Sequence, residues 1–469
     1  MKMINWFKHN WDKLLLIFVF AGAVFIRVKT YGNPFASIGM NDTPGYIESA
    51  QQPLLSWQFF TSQRPPTVPF LYKIFQPQSG YELKAVSSPA AIGKRVPLSI
   101  QPGFTSVVFS QMLLSILGWC LLVWVVFKNL KSRPIRLAAA LLILFFAFSP
   151  QLADWDMVLS SESLTFSLFA FVLALTIELT HRLTRQGAAI SPFTWVLFGL
   201  WFLSFIFWVF TRDANAYMIP VTLILLVVWL YFVLRNKNKR GLIGTGLVII
   251  FMAALLFFQQ TTMNQSTRWE KPFIANLIGN VLHYESRLEY FVKQGMPYSE
   301  DLGKAIRGGV RKDDYTNFPE FMTWMKSKGV STYTRFLMNN PFWAAWVIFR
   351  DKDGFFVTNL QPYFSADSNT RPAWFETVGN MFHPLSSVII LIDLLLTGVI
   401  LLVALHRPEK DIVAWALIFG WLFLGEILLL FVSYHGDFYS QNRHVLAALV
   451  PMRLSMWLLI ITISDIALR

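Results

Sequence analysis

Uninterrupted apolar runs of about twenty residues recur from one end of this chain to the other, the length a helix needs to cross a bilayer. The runs are continuous rather than alternating, so helices are expected and a membrane β-barrel is not. Of 469 residues, 55% are hydrophobic and only 14% charged, with 44 Phe and 18 Trp. A soluble domain has no use for so much apolar surface. The expected fold is therefore all-α and polytopic. It is one integral-membrane unit over 1–469, with about ten transmembrane helices. They are placed at 14–28, 105–127, 137–148, 160–179, 193–210, 216–234, 242–258, 385–405, 412–432 and 445–463.

Charge orders these spans. The formal net charge is +13, carried largely by short loops such as Lys128 to Arg136 and Arg235 to Arg240. Basic loops mark the cytoplasmic side. With Lys2, Lys8 and Lys13 ahead of the first span, both termini are expected in the cytoplasm. The two long loops, 29–104 and 259–384, then lie outside. Ala21-Gly22-Ala23 imitates a signal-peptide cleavage site, but apolar sequence continues through Val24, Phe25 and Ile26, so an uncleaved span is expected. No basic face with interleaved aromatics points to nucleic acid. The single cysteine, Cys120, sits in an apolar run with no partner and no metal spacing.

The outer loops read as short helices on the membrane surface. Thr67 to Phe75 is apolar but too short to span, which suits an interfacial helix. Ile274, Leu277, Ile278, Val281 and Leu282 keep helical spacing, Leu288, Phe291 and Val292 follow, and Gly295-Met296-Pro297 stops the pattern. Trp343 and Trp346 fit a headgroup boundary, and so does Trp155.

On the expected outer side, the ends of separate spans hold Asp42, Glu48, Asp154, Asp156, Glu162, Arg212, Asp213, Asp437, Arg443 and His444. Acids can take a proton from a hydroxyl. Arginine grips phosphate through paired planar donors. Together they suggest a lipid phosphate and an acceptor hydroxyl. Each also has a plainer reading: Asp42 as a helix N-cap, Glu162 as a dipole partner, and Asp154 and Asp156 as solvated surface acids. His283, His383 and His435 read as ordinary loop histidines, without ligand spacing.

Several of these stretches resemble one family. Asp42 followed by Tyr46, then Arg64-Pro65-Pro66-Thr67-Val68-Pro69-Phe70-Leu71, is similar to the first outer loop of the GT-C class of glycosyltransferases. That class includes the protein-mannosyltransferase and aminoarabinose-transferase-like enzymes. Gln111-Met112-Leu113-Leu114-Ser115, Ser160-Ser161-Glu162-Ser163, Thr211-Arg212-Asp213 and Gln441-Asn442-Arg443-His444 follow in the family's order. Two departures stand out. Asn41 precedes Asp42 where relatives often have a second acid, and His444 stands where they often have tyrosine. The resemblance implies an inverting transfer of a sugar from a polyprenyl-phosphate donor to an acceptor hydroxyl on a glycan, lipid or protein, in a bacterial cytoplasmic membrane. Asp42 would be the general base. Arg212, Arg443, His444 and Arg64 would hold the donor phosphate. Tyr46, Asp154, Asp156 and Glu162 would meet sugar, acceptor or a divalent ion such as Mg or Mn, which the sequence does not require. A transporter or flippase, or a polysaccharide polymerase-like protein, is the alternative.

Three charges fall deep inside spans: Asp393, Glu426 and Arg453. A lone charge there is expensive, so Arg453 is expected to pair with one of the two acids.

Overall fold

A computed structural model describes residues 2–30, 37–40, 42–75, 99–100, 103–186, 191–235, 239–308, 312–351, 356, 373–436 and 441–469. Asp437 and Asn41 lie outside them. Among the described residues, eight helices are long and apolar enough to cross a membrane: 105–129, 162–185, 192–209, 213–235, 242–265, 388–406, 410–436 and 446–467. A ninth span is counted if the pair Arg133–Phe148 and Pro150–Met157, bent by 46°, is taken as one. The expected run 14–28 lies within the helix Lys2–Thr30, which stands outside that count. This is an all-α polytopic membrane protein; the count of ten spans is not reproduced.

The helix Glu162–Gln186 is the axis of the bundle. The transmembrane window it carries is 94% buried inside the protein, against 17% for the one in 242–265. It packs on Thr105–Asn129, Pro192–Val209, Lys410–Gly436 and Leu446–Ala467. Gly118 lets Thr105–Asn129 approach this axis closely, because a Cβ there would stand 2.7 Å from the Ser167 carbonyl oxygen. Trp201, Trp208, Trp229 and Trp415 fill the core, each at most 1% exposed.

Polar pairs gather at the two ends of this axis. At one end Lys128 bridges to Glu178 at 2.7 Å, Lys131 to Asp411 at 3.0 Å and Arg136 to Asp12 at 3.4 Å. Glu162, sixteen residues before Glu178, marks the other end, about 24 Å away at the helical rise. A bilayer core tolerates charge at its two faces and resists it between them.

The residues after Gln265 form short helices, as their spacing predicts, but these do not lie as separate pieces. Phe273, Ile278, Phe291, Trp324 and Phe336 share a small apolar core of their own. Gly295, at φ +86°, ends the helix Glu285–Lys293 where the sequence places a stop. Trp346 is exposed, whereas Trp343 packs edge-on against Phe336.

The short helix Thr67–Phe75 departs from the expected surface position. Val68 and Tyr72 are fully buried. Thr67 donates from its Oγ1 to the Phe207 carbonyl at 2.7 Å, and Phe70 packs on Phe207. The segment is a wedge against the bundle, because its buried stripe meets the ends of other helices.

Candidate active site

Backbone pairing brings the first loop to the start of the axial helix. Ile38 pairs antiparallel with Ile100 and bridges in parallel to Val158. Leu159 N–H donates to the Ile38 carbonyl at 2.8 Å, and Thr43 Oγ1 donates to the Leu159 carbonyl at 2.8 Å. Gln111 secures the other side through its amide, which donates to the carbonyls of Asp156 and Val158 at 2.9 and 3.1 Å. Asp42 is thereby set beside Glu162, although 120 residues separate them in the chain.

Asp42 does occupy the N-cap position of Thr43–Gln51, with Pro44 in the first turn, but its side chain makes no capping bond. Both oxygens go to arginines. Arg64 Nη2 donates to Oδ1 at 2.7 Å, and Arg443 Nη2 donates to Oδ2. Arg443 Nε also lies 2.9 Å from Glu162 Oε1. Arg212 closes the chain by donating to that same Oε1 and, from Nε, to Ser161 Oγ at 2.9 Å. The order is Arg64, Asp42, Arg443, Glu162, Arg212: three guanidiniums threaded by two carboxylates, one positive charge in excess.

Electrostatics follow from this geometry. Burial pushes the Asp42 carboxyl up, but Arg443 and Arg64 outweigh it and hold Asp42 well below the usual carboxylate range. Burial pulls the Arg443 guanidinium down, and Glu162 and Asp42 more than reverse that. His444 stands near enough for its charge to act on Asp42. Tyr46 is buried under the Arg64 guanidinium, which sits 5.2 Å from its ring centre, and Tyr46 in turn packs on Tyr72.

Among the described residues, Arg64 Nε and Tyr72 Oη are buried at the cluster without a hydrogen-bond partner.

Some expected site residues lie elsewhere. Asp156 is 2% exposed, with Oδ2 taken by Arg27 at 2.9 Å and Oδ1 by Ser163 at 2.6 Å. It is neither a solvated acid nor open to a sugar; a buried arginine from the first span has claimed it. Asp154 and Trp155 are buried beside it, at 1% each, so Trp155 is no headgroup anchor. Glu48 points outward and is exposed. Asp213 pairs not with its neighbour Arg212 but with Arg268 at 2.7 Å and Gln259 at 2.9 Å. His383 and His435 are buried, bonded to the carbonyls of Phe146 and Ala344 at 2.8 and 3.0 Å. Arg453 is buried, but no ion pair joins it to Asp393 or Glu426; the two acids face each other instead.

Arg27, Ser161, Tyr72 and Arg268 escape sequence reading. Only Arg27 left a signal, as a cation at the edge of an apolar run, which demands a partner. Among the described residues, no group of three His, Cys, Asp or Glu side chains could hold a metal. The two carboxylates that meet here both face guanidiniums, an environment that does not fit a divalent cation.

Fold and site together define a polytopic helical membrane protein with an acid–arginine chain at one end of its bundle. No family model matches the sequence, and no curated protein does. Among solved structures, the chain is similar to the archaeal oligosaccharyltransferase AglB from Archaeoglobus fulgidus, in complex with an inhibitory peptide and a dolichol-phosphate. The likeness has 14% identity and a TM-score of 0.43, and covers 96% of this chain and 50% of that one. The Archaeoglobus fulgidus oligosaccharyltransferase tethered to an acceptor peptide gives 14% identity and a TM-score of 0.45, over 99% of this chain and 51% of that one. This chain thus spans about half the length of the structures it resembles. A likeness this loose says nothing of substrate or chemistry.

Proposed function

We propose that this protein is an inverting glycosyltransferase of the GT-C class, moving a sugar from a polyprenyl-phosphate donor to an acceptor hydroxyl at the outer face of a bacterial cytoplasmic membrane. The observation that carries the reading is a carboxylate, Asp42, held within a surplus of guanidiniums at the end of a membrane bundle. A sugar esterified to polyprenyl phosphate is a diester with one negative charge, which matches the single excess positive charge of the cluster.

In this reading Asp42 takes the acceptor's hydroxyl proton. The freed oxygen forms a bond to the anomeric carbon from the face opposite the phosphate. The bond from that carbon to the phosphate oxygen breaks, and the phosphate leaves with the electron pair. Arg212 and Arg443 stabilise its growing charge, which is electrostatic catalysis. His444 adds a donor beside Arg443. Glu162 does not touch sugar; it spaces Arg212 and Arg443. Asp156 and Arg27 belong to the scaffold that shapes the loop.

The test is to incubate the purified protein with a panel of polyprenyl-phosphate sugars and a membrane extract, and to follow free polyprenyl phosphate. Asp42→Asn should lower turnover by about 10²–10⁴, the usual share of a general base. It should still bind donor and remain folded, at a lower melting temperature, because Asp42 pairs with two arginines. No release from any donor, or full turnover in Asp42→Asn, would count against the proposal. A transporter of lipid-linked glycans would bind the donors and release nothing.

A further inference from the structure

We propose that Arg443 changes partner during the cycle: in the empty site it holds Asp42, and an arriving donor phosphate draws it off, leaving Asp42 gripped by Arg64 alone. This rests on the donor-phosphate reading given above.

The two arginines on Asp42 are held very differently. Arg64, the more exposed of the two, has Asp42 as its one carboxylate partner among the described residues. It bonds Oδ1 at 2.7 Å, covers the Tyr46 ring, and lies over Gly45, where a Cβ would come within 2.9 Å of its Nε. Gly45 leaves the room that Arg64 occupies. Arg443 sits on a single helical turn, Gln441–His444, between two long helices. Its Nε is near Glu162 but in no hydrogen-bond geometry, and its Nη1 reaches only the Met40 sulfur, at 3.9 Å. A thioether is a weak acceptor. Arg443 is thus shared between two acids, Asp42 through a bond from Nη2 and Glu162 through an ion pair at Nε, so it can leave Asp42 without losing every carboxylate.

A phosphate offers oxygens to match what is left over. Its arrival beside Arg443 and Arg212 adds an anion that competes with Asp42 for the Arg443 guanidinium, which Glu162 keeps paired in either state. A base clamped by two arginines is a poor proton acceptor, whereas one clamped by Arg64 alone is better placed to accept. The exchange thus couples donor binding to the readiness of Asp42, and an acceptor arriving first finds the base still tied. Arg64 is then a positioning residue, and Arg443 the one that is shared.

A double-mutant cycle on binding separates this from a static charge effect. Affinity for farnesyl phosphate in detergent micelles is measured for the full chain, Asp42→Asn, Arg443→Gln and the double variant, with farnesol as the neutral control. Gel filtration and melting curves confirm folding, and Asp42→Ser with Arg443→Lys serves as a second pair. If Arg443 leaves Asp42 to bind phosphate, part of its binding contribution is cancelled in the native protein. Arg443→Gln should then cost at least tenfold more affinity in the Asp42→Asn background than in the native one, a coupling of about 1.4 kcal/mol. Equal losses in both backgrounds would mean that Arg443 keeps its partner, and the exchange is overturned. Should the native protein bind farnesyl phosphate no better than farnesol, the donor-phosphate reading fails first, and the exchange falls with it.

Discussion

Glu162→Gln is the sharpest perturbation of the charged chain. Glu162 is wholly buried, and Arg212 and Arg443 approach the same oxygen, Oε1. Their guanidiniums therefore stand within about 6 Å of each other. Neutralising the acid leaves two like charges facing, a repulsion of about 3 kcal/mol at an effective dielectric near 20. That falls within the ~3–5 kcal/mol expected when one member of a buried ion pair is removed. The readout is thermal unfolding in detergent at one fixed scan rate, since membrane proteins often unfold irreversibly. A drop of roughly 5 °C is expected. Farnesyl phosphate should restore more of the Tm in the variant than in the native protein, because an anion now replaces the missing charge. Glu178→Gln is the control. Its partners Lys128 and Arg182 have side chains 43% and 20% exposed. Cations that still reach solvent screen the loss, so this change should cost less than Glu162→Gln. Equal Tm values for Glu162→Gln and Glu178→Gln would refute the claim that Glu162 spaces the two arginines.

Other outcomes follow from the same geometry. Arg27→Met strands the buried Asp156 carboxylate and should destabilise by about 3–5 kcal/mol, whereas Arg27→Met with Asp156→Leu should recover most of it; melting curves decide. Gly118→Ala drives a methyl against the Ser167 carbonyl and should cost about 1–3 kcal/mol, while Gly199→Ala, with open space around it, should leave the Tm unchanged. In the folded protein Arg443 and Arg64 hold the Asp42 carboxyl below its ordinary pKa of 3.8. Its contribution to stability is therefore complete above that value and is lost as pH falls through the depressed one. In pH profiles the acid limb of kcat/KM, which reports the empty enzyme, should lie below pH 4. The limb of kcat, which reports the donor-bound enzyme, should lie higher if Arg443 has left. Coincident limbs would speak against that.

Much of this protein was legible as a string. Apolar runs of bilayer length dictate helices, since no other local structure satisfies backbone groups in lipid. Charges confined to the run ends told which residues have the freedom to be polar, and Asp42, Glu162, Arg212 and Arg443 were all visible that way. Gly295 stopping a helix needed nothing beyond its own conformational range.

What the string does not contain is who pairs with whom. Asp156 and Asp42 look alike in sequence, yet one is buried against Arg27 and the other lies between Arg64 and Arg443. Asp213 adjoins Arg212 but pairs with Arg268. Arg453, Glu426 and Asp393 match in depth, yet the acids turn to each other. Helical periodicity acts over a few residues, whereas these pairings depend on how elements tens to hundreds of residues apart are rotated and seated. A buried charge takes the partner that packing brings within about 3 Å, and only the tertiary structure decides which one that is.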